Sequence, residues 1–305
     1  MLSINLKTLL VGFTLMAIST TSAFAKTYQH SLGTIDIDGV PQRVVVLGFG
    51  SLDFVDALGV EPIAVPKSLL PESLSKYKAD KFANTGSLKE VNYETLFTLK
   101  PDLIIAEARM AELYKDLSDI APVYMYRIDS ENYWETTKNH WNNLSEIFNK
   151  QEKGKELVHN IQSKIDALNA KSTAKPLKAL TVMSNGGNVT SFGPISRFSF
   201  VYQEAGFEVS KSVDVEVESR AHGDLISFEY IADAKPDVLL VLDRDQAIGK
   251  ANGKAKELFS NDLVESTPAA KNKRITYLEP VAWYLSSGGY HSTNLMIDDL
   301  SNAID

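Results

Sequence analysis

The sequence contains no cysteine among its 305 residues. Without cysteine the chain has no disulfide bond, no thiol nucleophile and no zinc–thiolate centre. A lipid anchor on a cysteine at a signal-peptide cleavage site is excluded for the same reason. Histidine is also scarce, with five residues in all. Capture of a bare zinc or manganese ion needs three or four protein ligands in one place, so this composition disfavours it.

Basic residues are in the minority, with 31 Lys and Arg against 39 Asp and Glu. The resulting net charge of −8 argues against nucleic acid as a partner and gives no general attraction to anionic lipids. Long hydrophobic runs are missing as well. Beyond the first 25 residues, no segment is long and apolar enough for a transmembrane helix.

The first 25 residues have the order of a secretory signal peptide. Lys7 is their only charge, residues 9–18 are apolar, and Ala23-Phe24-Ala25 is a small-x-small cleavage site. We therefore expect the mature chain to begin at Lys26 with a net charge of −9, since only Lys7 is lost. An N-terminal membrane anchor is the alternative. An exported chain without an anchor would be retained by an outer membrane, which predicts a periplasmic location.

An internal repeat organises the rest of the chain. Residues 93–105 read YETLFTLKPDLII and residues 228–240 read FEYIADAKPDVLL, an offset of 135 positions. Each copy predicts a short helix, a Lys-Pro-Asp turn that proline enforces, and a buried apolar strand of the kind found in parallel sheets. The repeat therefore indicates two lobes built on one plan.

Further apolar segments, at residues 43–47, 61–65, 179–183 and 274–278, alternate with helical ones. This pattern predicts an α/β fold with two lobes, each a mostly parallel sheet flanked by helices. Between the lobes, residues 132–149 predict one helix and residues 151–171 a second with a narrow apolar stripe. We assign residues 26–149 to an N-terminal lobe, 150–172 to a connecting helix and 173–305 to a C-terminal lobe. The alternative is a helix packed on one lobe only.

Three segments carry a resemblance to a known family. They read GPISRF at residues 193–198, VLDR at 241–244, and YLEP at 277–280 running into WYL at 283–285. With the two lobes and the single connecting helix, the chain resembles the class III substrate-binding proteins of ABC importers for iron-siderophores, haem and vitamin B12. Within that class it resembles most the periplasmic proteins for catecholate siderophores, of the ferric-enterobactin and vibriobactin type.

The resemblance implies a set of site residues. The family's metal-contacting pair corresponds to His222 and Tyr284, which would reach Fe(III) through the bound siderophore. The siderophore-contacting residues correspond to Arg109, Arg197, Arg244 and Trp283. The transported ligand would be the Fe(III)-siderophore, with no intrinsic cofactor, and the protein would act as a monomer. The loop SSGGYH at residues 286–291 departs from the family pattern, so Tyr290 and His291 could shape the pocket differently.

These residue types suit the chemistry of ferric catecholates. Ferric iron prefers oxygen ligands, and two catecholates leave its complex with one negative charge and two open coordination positions. A phenolate and an imidazole can fill those positions, because a bound cation can deprotonate a ligand. Guanidinium is a permanent, planar cation that holds anionic oxygens through several N–H groups. Arg109 and Arg244 follow predicted strands, where α/β sheets bind ligands, and Arg197 is predicted to open a helix whose N–H groups favour an anion.

Simpler interpretations of the same residues remain open. A histidine in the polar loop around His222 is often only solvated, Tyr284 sits in an apolar patch typical of a core, and a lone arginine is by default an ion-pair residue. His291 is a rival ligand. The other histidines, His30, His140 and His159, are predicted at the surface.

Glu94 and Glu229 occupy equivalent positions in the two copies of the repeat. In the family that the chain resembles, one surface glutamate per lobe docks onto arginines of the permease dimer in the inner membrane. Both residues can equally be solvated glutamates that favour a helix start. Glu90 is a competitor in the first lobe.

Two rival functions follow from the sequence. An enzyme is disfavoured, because the chain has no nucleophile elbow, zinc-protease, P-loop or dinucleotide motif. SNGG at residues 184–187 could cradle a phosphate, but a turn is the simpler interpretation. The closer rival is another ligand of the same importer class, namely haem, a different iron chelate or cobalamin, since a Tyr–His pair also binds haem iron.

Overall fold

The computed structural model describes residues 25–211, 223–250 and 254–305. Residues 1–24 of the predicted signal peptide lie outside these ranges, and so does the predicted iron ligand His222. In the part that is described, no helix combines the length and the apolar character that a bilayer crossing needs.

The described chain contains thirteen strands, which run in sequence order as follows: β1 Lys26–His30, β2 Gly33–Ile37, β3 Val44–Val46, β4 Ala64–Val65, β5 Ala83–Asn84, β6 Leu103–Glu107, β7 Val123–Tyr126, β8 Lys178–Asn185, β9 Asn188–Phe192, β10 Glu208–Val209, β11 Asp224–Ile226, β12 Val238–Asp243 and β13 Ile275–Tyr277.

The α-helices of the same part of the chain are α1 Phe49–Ala57, α2 Tyr93–Leu99, α3 Tyr114–Ser118, α4 Tyr133–Ile147, α5 Gln151–Ala174, α6 Ser199–Gln203, α7 Phe228–Ala234, α8 Arg244–Ala247, α9 Lys254–Leu258, α10 Asp262–Glu265, α11 Pro268–Lys271, α12 Pro280–Tyr284 and α13 Tyr290–Ile304. Two 3₁₀ helices, Glu72–Lys78 and Ala108–Leu113, complete the helical segments.

The N-terminal lobe is built on a five-stranded sheet in the order β5-β4-β3-β6-β7. All of its strand pairs are parallel, and residues of β3 and β6 are almost fully excluded from water. A parallel sheet needs both faces covered, which explains its unbroken apolar strands. The hairpin of β1 and β2 is antiparallel and buries Tyr28 and Ile35 against this lobe.

The C-terminal lobe is built on a six-stranded sheet in the order β11-β9-β8-β12-β13, with β10 also paired to β8. The pairs of β8 with β10, of β8 with β12 and of β12 with β13 are parallel, whereas β9 is antiparallel to both of its neighbours. The reversal occurs at Gly186 and Gly187, both with positive φ, so the SNGG segment is the turn of a hairpin. The prediction of two α/β lobes is confirmed.

The sequence repeat corresponds to the same local structure in both lobes. Helices α2 and α7 each begin with a side-chain cap, from Asn92 and from Ser227, and each ends at a lysine in the left-handed conformation. The aspartate of each Lys-Pro-Asp turn then binds backbone: Asp102 accepts from the N–H of Arg43, and Asp237 from the N–H of Lys178. The turn thus ties each helix to the start of the neighbouring central strand.

The two lobes share one hydrophobic core. A single cluster of buried side chains extends from the N-terminal lobe through α4 and α5 into the C-terminal lobe, while each sheet has a separate cluster on its other face. Helix α5 corresponds to the predicted connecting helix. The last helix, α13, packs on α5 and also returns to α1 of the N-terminal lobe. Large independent motions of the lobes would break this core, so the fold favours small ones.

His140 corrects a prediction. We expected it at the surface, but it is only 8% exposed. Its Nδ1 lies 2.7 Å from the Tyr124 hydroxyl and its Nε2 lies 3.0 Å from the Arg127 carbonyl. The prediction rested on the polar residues around His140 in the sequence, but His140 lies on the face of α4 that packs on β7.

A buried carboxylate joins α1 to the start of α13. Asp53 accepts hydrogen bonds from the N–H groups of His291 and Ser292 and from the Ser292 hydroxyl. Burial raises the pKa of Asp53 above its ordinary value, although these three hydrogen bonds act in the opposite direction. A side chain at Gly289 would collide with this carboxylate, since a Cβ there would lie 2.3 Å from Oδ2. The contact holds α1 and the start of α13 together across the lobe boundary.

We expect Asp53→Ala to lower the free energy of unfolding by about 3 kcal/mol, because it leaves the first N–H groups of α13 buried without an acceptor. Urea unfolding followed by tryptophan fluorescence measures this loss. Asp298→Ala, which removes an exposed carboxylate from the same helix, is the control and should change stability by less than about 0.5 kcal/mol. Equal losses in the two variants would contradict the role of Asp53.

Candidate functional site

The site forms where the strand order of each sheet reverses direction. In the N-terminal lobe this point lies between β3 and β6, and in the C-terminal lobe between β8 and β12. Ligands of open α/β sheets bind outside the carboxyl ends of the strands at such points. Arg109 lies two residues after the end of β6, Asn185 ends β8, and Arg244 directly follows β12. Polar side chains therefore lie at the point in each sheet where the strand order reverses.

Three arginines meet at Tyr284, which ends α12 and is 7% exposed. The guanidinium carbon of Arg197 lies 4.2 Å from the centre of the tyrosine ring, that of Arg244 5.4 Å and that of Arg109 5.8 Å. Arg109 and Arg197 each donate from Nη2 to the Tyr284 carbonyl oxygen, at 2.9 and 3.0 Å. The structure thus brings together four of the residues that the sequence predicted, from both lobes.

Arg244 contacts the hydroxyl group of Tyr284. Its Nε donates to the Tyr284 hydroxyl oxygen at 2.7 Å, and its Nη1 donates to Oδ1 of Asn185 at 2.9 Å. The amide of Asn185 therefore orients the guanidinium that in turn fixes the phenol. Sequence reasoning did not select Asn185, although its place at the end of a central strand was a usable signal.

The cluster carries positive charge without a carboxylate partner. Within residues 25–211, 223–250 and 254–305, no Asp or Glu forms an ion pair with Arg109, Arg197 or Arg244. The acid nearest in sequence to Arg109 is Glu107, and its carboxylate binds the N–H and the hydroxyl of Ser51, at the first turn of α1. Burial raises the pKa of Glu107, while these hydrogen bonds and the charge of Arg109 lower it.

Arg197 is the most constrained of the three arginines. Its Nε is buried and has no hydrogen-bond partner. Burial, as the largest cause, lowers the pKa of Arg197 to about 10; the charges of Arg109 and Arg244 act in the same direction, and Tyr284 acts against them. The guanidinium stays protonated at neutral pH. An anionic ligand beside the cluster would reduce the repulsion among the three cations.

The predicted helix at Arg197 begins later than expected. Helix α6 starts at Ser199, and the N–H groups of Phe198 and Ser199 are already bonded to the hydroxyl and the carbonyl of Ser196. The expectation that a helix N-terminus at Arg197 adds to anion binding is therefore wrong, because this turn satisfies those N–H groups locally. The side chain of Arg197 is the group that faces Tyr284.

Trp283 lies in the core behind Tyr284. It is 1% exposed, its ring stacks on Phe198, and its indole N–H donates to Asp299 at 2.9 Å. Its carbonyl oxygen is within 3.4 Å of Nη2 of Arg197. In this position Trp283 supports the backbone that holds the arginines, and a contact between its ring and a ligand would require the ring to leave the core.

The loop after Tyr284 is held by the N-terminal lobe. The carbonyl of Gly288 accepts from the Tyr126 hydroxyl and the Trp141 indole, and the N–H of Gly288 donates to the Tyr133 hydroxyl. Tyr290 turns away and donates to Asn160 on α5, while His291 is exposed.

His222 lies outside the described residues, but its neighbour in the chain is placed. Gly223 has a φ of +72° and is packed so closely on β9 that a Cβ there would lie 2.6 Å from the Ser191 carbonyl oxygen. Strand β9 leads at Phe192 into the segment that carries Arg197. Elsewhere, in the described part of the chain, no group of three or more His, Asp or Glu residues could hold a metal ion.

Glu94 and Glu229 are exposed in the first turns of α2 and α7. The pKa of Glu229 is lowered, chiefly by a hydrogen bond with the Ser227 side chain. The backbone carbonyl of Glu90 accepts from Ser87 in the turn before α2.

Comparison with known proteins gives a consistent result. The sequence profile of the family described as periplasmic binding protein matches residues 44–282. The petrobactin-binding protein YclQ of Bacillus subtilis is 39% identical over 269 residues, which cover 87% of this chain and 83% of that protein. The ferric-anguibactin-binding protein FatB of Vibrio anguillarum is 35% identical over 278 residues, covering 89% and 85%.

Among solved structures, the periplasmic catecholate-siderophore binding protein VctP of Vibrio cholerae superposes with a TM-score of 0.87 at 39% identity. The match covers 91% of this chain and 99% of that one. A family match over residues 44–282, together with relatives above 30% identity along most of their length, leaves one assignment: the chain belongs to the periplasmic binding protein family.

Proposed function

We propose that this protein captures a ferric catecholate siderophore between its two lobes and delivers it to an ABC importer, without transforming it chemically. The observation that carries the proposal is the convergence of three arginines on Tyr284 with no carboxylate partner in the described structure. Such a cluster calls for an anion with several oxygen atoms. The relatives include a petrobactin-binding protein and a catecholate-siderophore binding protein, which supports the same ligand class.

The roles of the site residues follow from this chemistry. Arg109, Arg197 and Arg244 would hold catecholate oxygens through charge-assisted hydrogen bonds. Tyr284 and His222 would fill the two coordination positions that a bis-catecholate leaves open on iron. Support for His222 comes from its sequence position beside Gly223, which packs on the strand that leads to Arg197.

Delivery to the importer assigns a role to the repeated glutamates. Glu94 and Glu229 are exposed and occupy matching first turns of α2 and α7, so they would present one negative charge per lobe to a permease dimer. The N-terminal sequence pattern supports export through a cleaved signal peptide and a periplasmic location without a lipid anchor. We expect a monomer.

The direct test is a titration of the purified mature protein with the iron complexes of a bis-catecholate and a tris-catecholate, followed by tryptophan fluorescence and visible absorption. We expect both complexes to quench fluorescence, because Trp283 lies directly behind the site. Tyr284→Phe should weaken the bis-catecholate complex about tenfold or more, equivalent to about 1.4 kcal/mol, and shift its charge-transfer band.

Haem and cobalamin serve as controls in the same titration. Adding His222→Ala to Tyr284→Phe should affect the bis-catecholate far more than the tris-catecholate, which leaves no coordination position open. Equal losses for both complexes would contradict iron contact through these residues. Tight binding of haem or cobalamin with no response to catecholates would show that the ligand belongs to the rival class.

Asn185 gives a second prediction. Asn185→Ala should weaken catecholate binding about three- to tenfold, because Arg244 loses the acceptor that orients it. Asn185→Asp should weaken it more, since the new carboxylate neutralises one cation of the cluster. Asn188→Ala, at the opposite position of the same hairpin, is the matched control and should bind normally. Unchanged affinity in both Asn185 variants would show that Arg244 needs no such support.

A further inference from the structure

One leucine of the N-terminal lobe has a backbone conformation that leucine rarely adopts. Leu69 has a φ of +61°, in the left-handed region, and its side chain is 48% exposed. A glycine would adopt this conformation without strain, whereas a bulky side chain is rarely found in it. Such strain persists only where the surrounding structure imposes it, and it is concentrated at ligand sites and switch regions.

The chain is anchored before and after Leu69. Before it, the Lys67 ammonium group donates to the backbone carbonyls of Lys78 and Ala79, at 3.2 and 3.0 Å. After it, Leu70 is buried in the core that the two lobes share. These contacts impose the unusual backbone conformation and leave the side chain of Leu69 partly at the surface.

The side chain of Leu69 reaches the C-terminal lobe. A Cβ added at Gly249 would lie 3.2 Å from Cδ2 of Leu69, so the leucine methyl group occupies the space that a side chain at Gly249 would need. Gly249 follows Arg244 by five positions, and its neighbour Ile248 packs on the shared core. Both sides of this contact are therefore attached to the core of the molecule.

The contact lies at the same edge of both sheets as the arginine cluster. Leu69 is in the segment that follows β4, and Gly249 lies just beyond α8, which directly follows β12. Because β3, β4 and β6 are parallel, the segments after β4 and β6 leave the sheet at one edge, where Arg109 also lies. The contact between Leu69 and Gly249 therefore joins the two lobes at the edge that carries the ligand site.

We propose that Leu69 is a specificity-determining residue: it closes one side of the ligand cleft against Gly249 and excludes chelates whose organic scaffold would extend through that side. The inference rests on the proposed capture of a ferric catecholate and extends it from the iron-binding groups to the scaffold that joins them. The arginines respond to charge and do not make this distinction. A steric barrier does, because it clashes with the larger ligand alone.

The test uses two iron complexes that have the same metal-binding groups and differ in bulk. The bis(dihydroxybenzoyl) derivatives of cadaverine and of lysine naphthylamide carry identical catecholates on linkers of equal length, and the second adds an uncharged naphthyl group. Each complex is titrated by calorimetry into the wild-type protein, Leu69→Gly and Lys273→Gly. Lys273 is the matched control, because it is also exposed with a positive φ, of 58°, but precedes β13 at the opposite edge of the sheet.

We expect Leu69→Gly to lower the Kd of the naphthyl complex about tenfold and to change that of the cadaverine complex less than about threefold. The variant should fold normally, since glycine suits the left-handed conformation. Lys273→Gly should change neither Kd. No change with Leu69→Gly, or an equal change for both complexes, would overturn the proposal, and so would the same shift in Lys273→Gly.

Cysteine pairs test the contact without any ligand, because the chain has no cysteine of its own. Leu69→Cys should form an intramolecular disulfide on mild oxidation with Gly249→Cys or with Lys250→Cys, which avoids a side chain at the glycine, but not with Lys273→Cys. Absence of a disulfide from both of the first two pairs would overturn the proposal. Failure of the wild-type protein to bind either iron complex would overturn the proposed function and the selectivity with it, whereas the disulfide would still show the contact between the lobes.

Discussion

The site is governed by the mutual repulsion of three guanidinium groups around one tyrosine ring. Burial lowers the pKa of Arg197, and the charges of Arg109 and Arg244 add to this effect. The protein accepts this arrangement without a carboxylate partner in its described residues. An anionic ligand would relieve this repulsion, which gives the cluster an electrostatic preference for anions.

The scaffold has to hold these repelling groups in place before a ligand arrives. It does so through the backbone of α12: the carbonyl of Tyr284 accepts from two of the arginines, and the loop that follows is fixed by Tyr126, Trp141 and Tyr133 of the N-terminal lobe. Asp53 then anchors the start of α13. Because these contacts cross the lobe boundary and lie on one continuous core, they favour a cluster whose geometry is set before a ligand binds.

Much of this architecture could be predicted from the sequence, because it rests on short-range signals. The repeated Lys-Pro-Asp unit predicted the two lobes, since proline and a left-handed lysine end each helix in the same way. Strand ends predicted the location of Arg109 and Arg244. The place of Asn185 at a strand end was a usable signal, but its contact with Arg244 and the anchoring of Gly288 could not be predicted, because they depend on packing between elements distant in sequence. The buried state of His140 was missed because its sequence neighbours are polar.

Charge and coordination geometry have different effects on ligand recognition at this site. In the proposed complex the arginines would attract any chelate with exposed anionic oxygens through their permanent charge, so they would set the ligand class without choosing among its members. The hydrogen bond from Arg244 to the Tyr284 hydroxyl is different, because a tyrosine oxygen that coordinated iron would keep a lone pair and could still accept from Arg244. A tris-catecholate, which leaves iron no open position, can bind with that hydrogen bond intact. A bis-catecholate would add an iron–phenolate bond at the same oxygen, and the N–H groups of Arg244 that Tyr284 and Asn185 do not use could bind a catecholate oxygen. One arginine can therefore serve both kinds of complex, with Asn185 keeping it in reach of either partner.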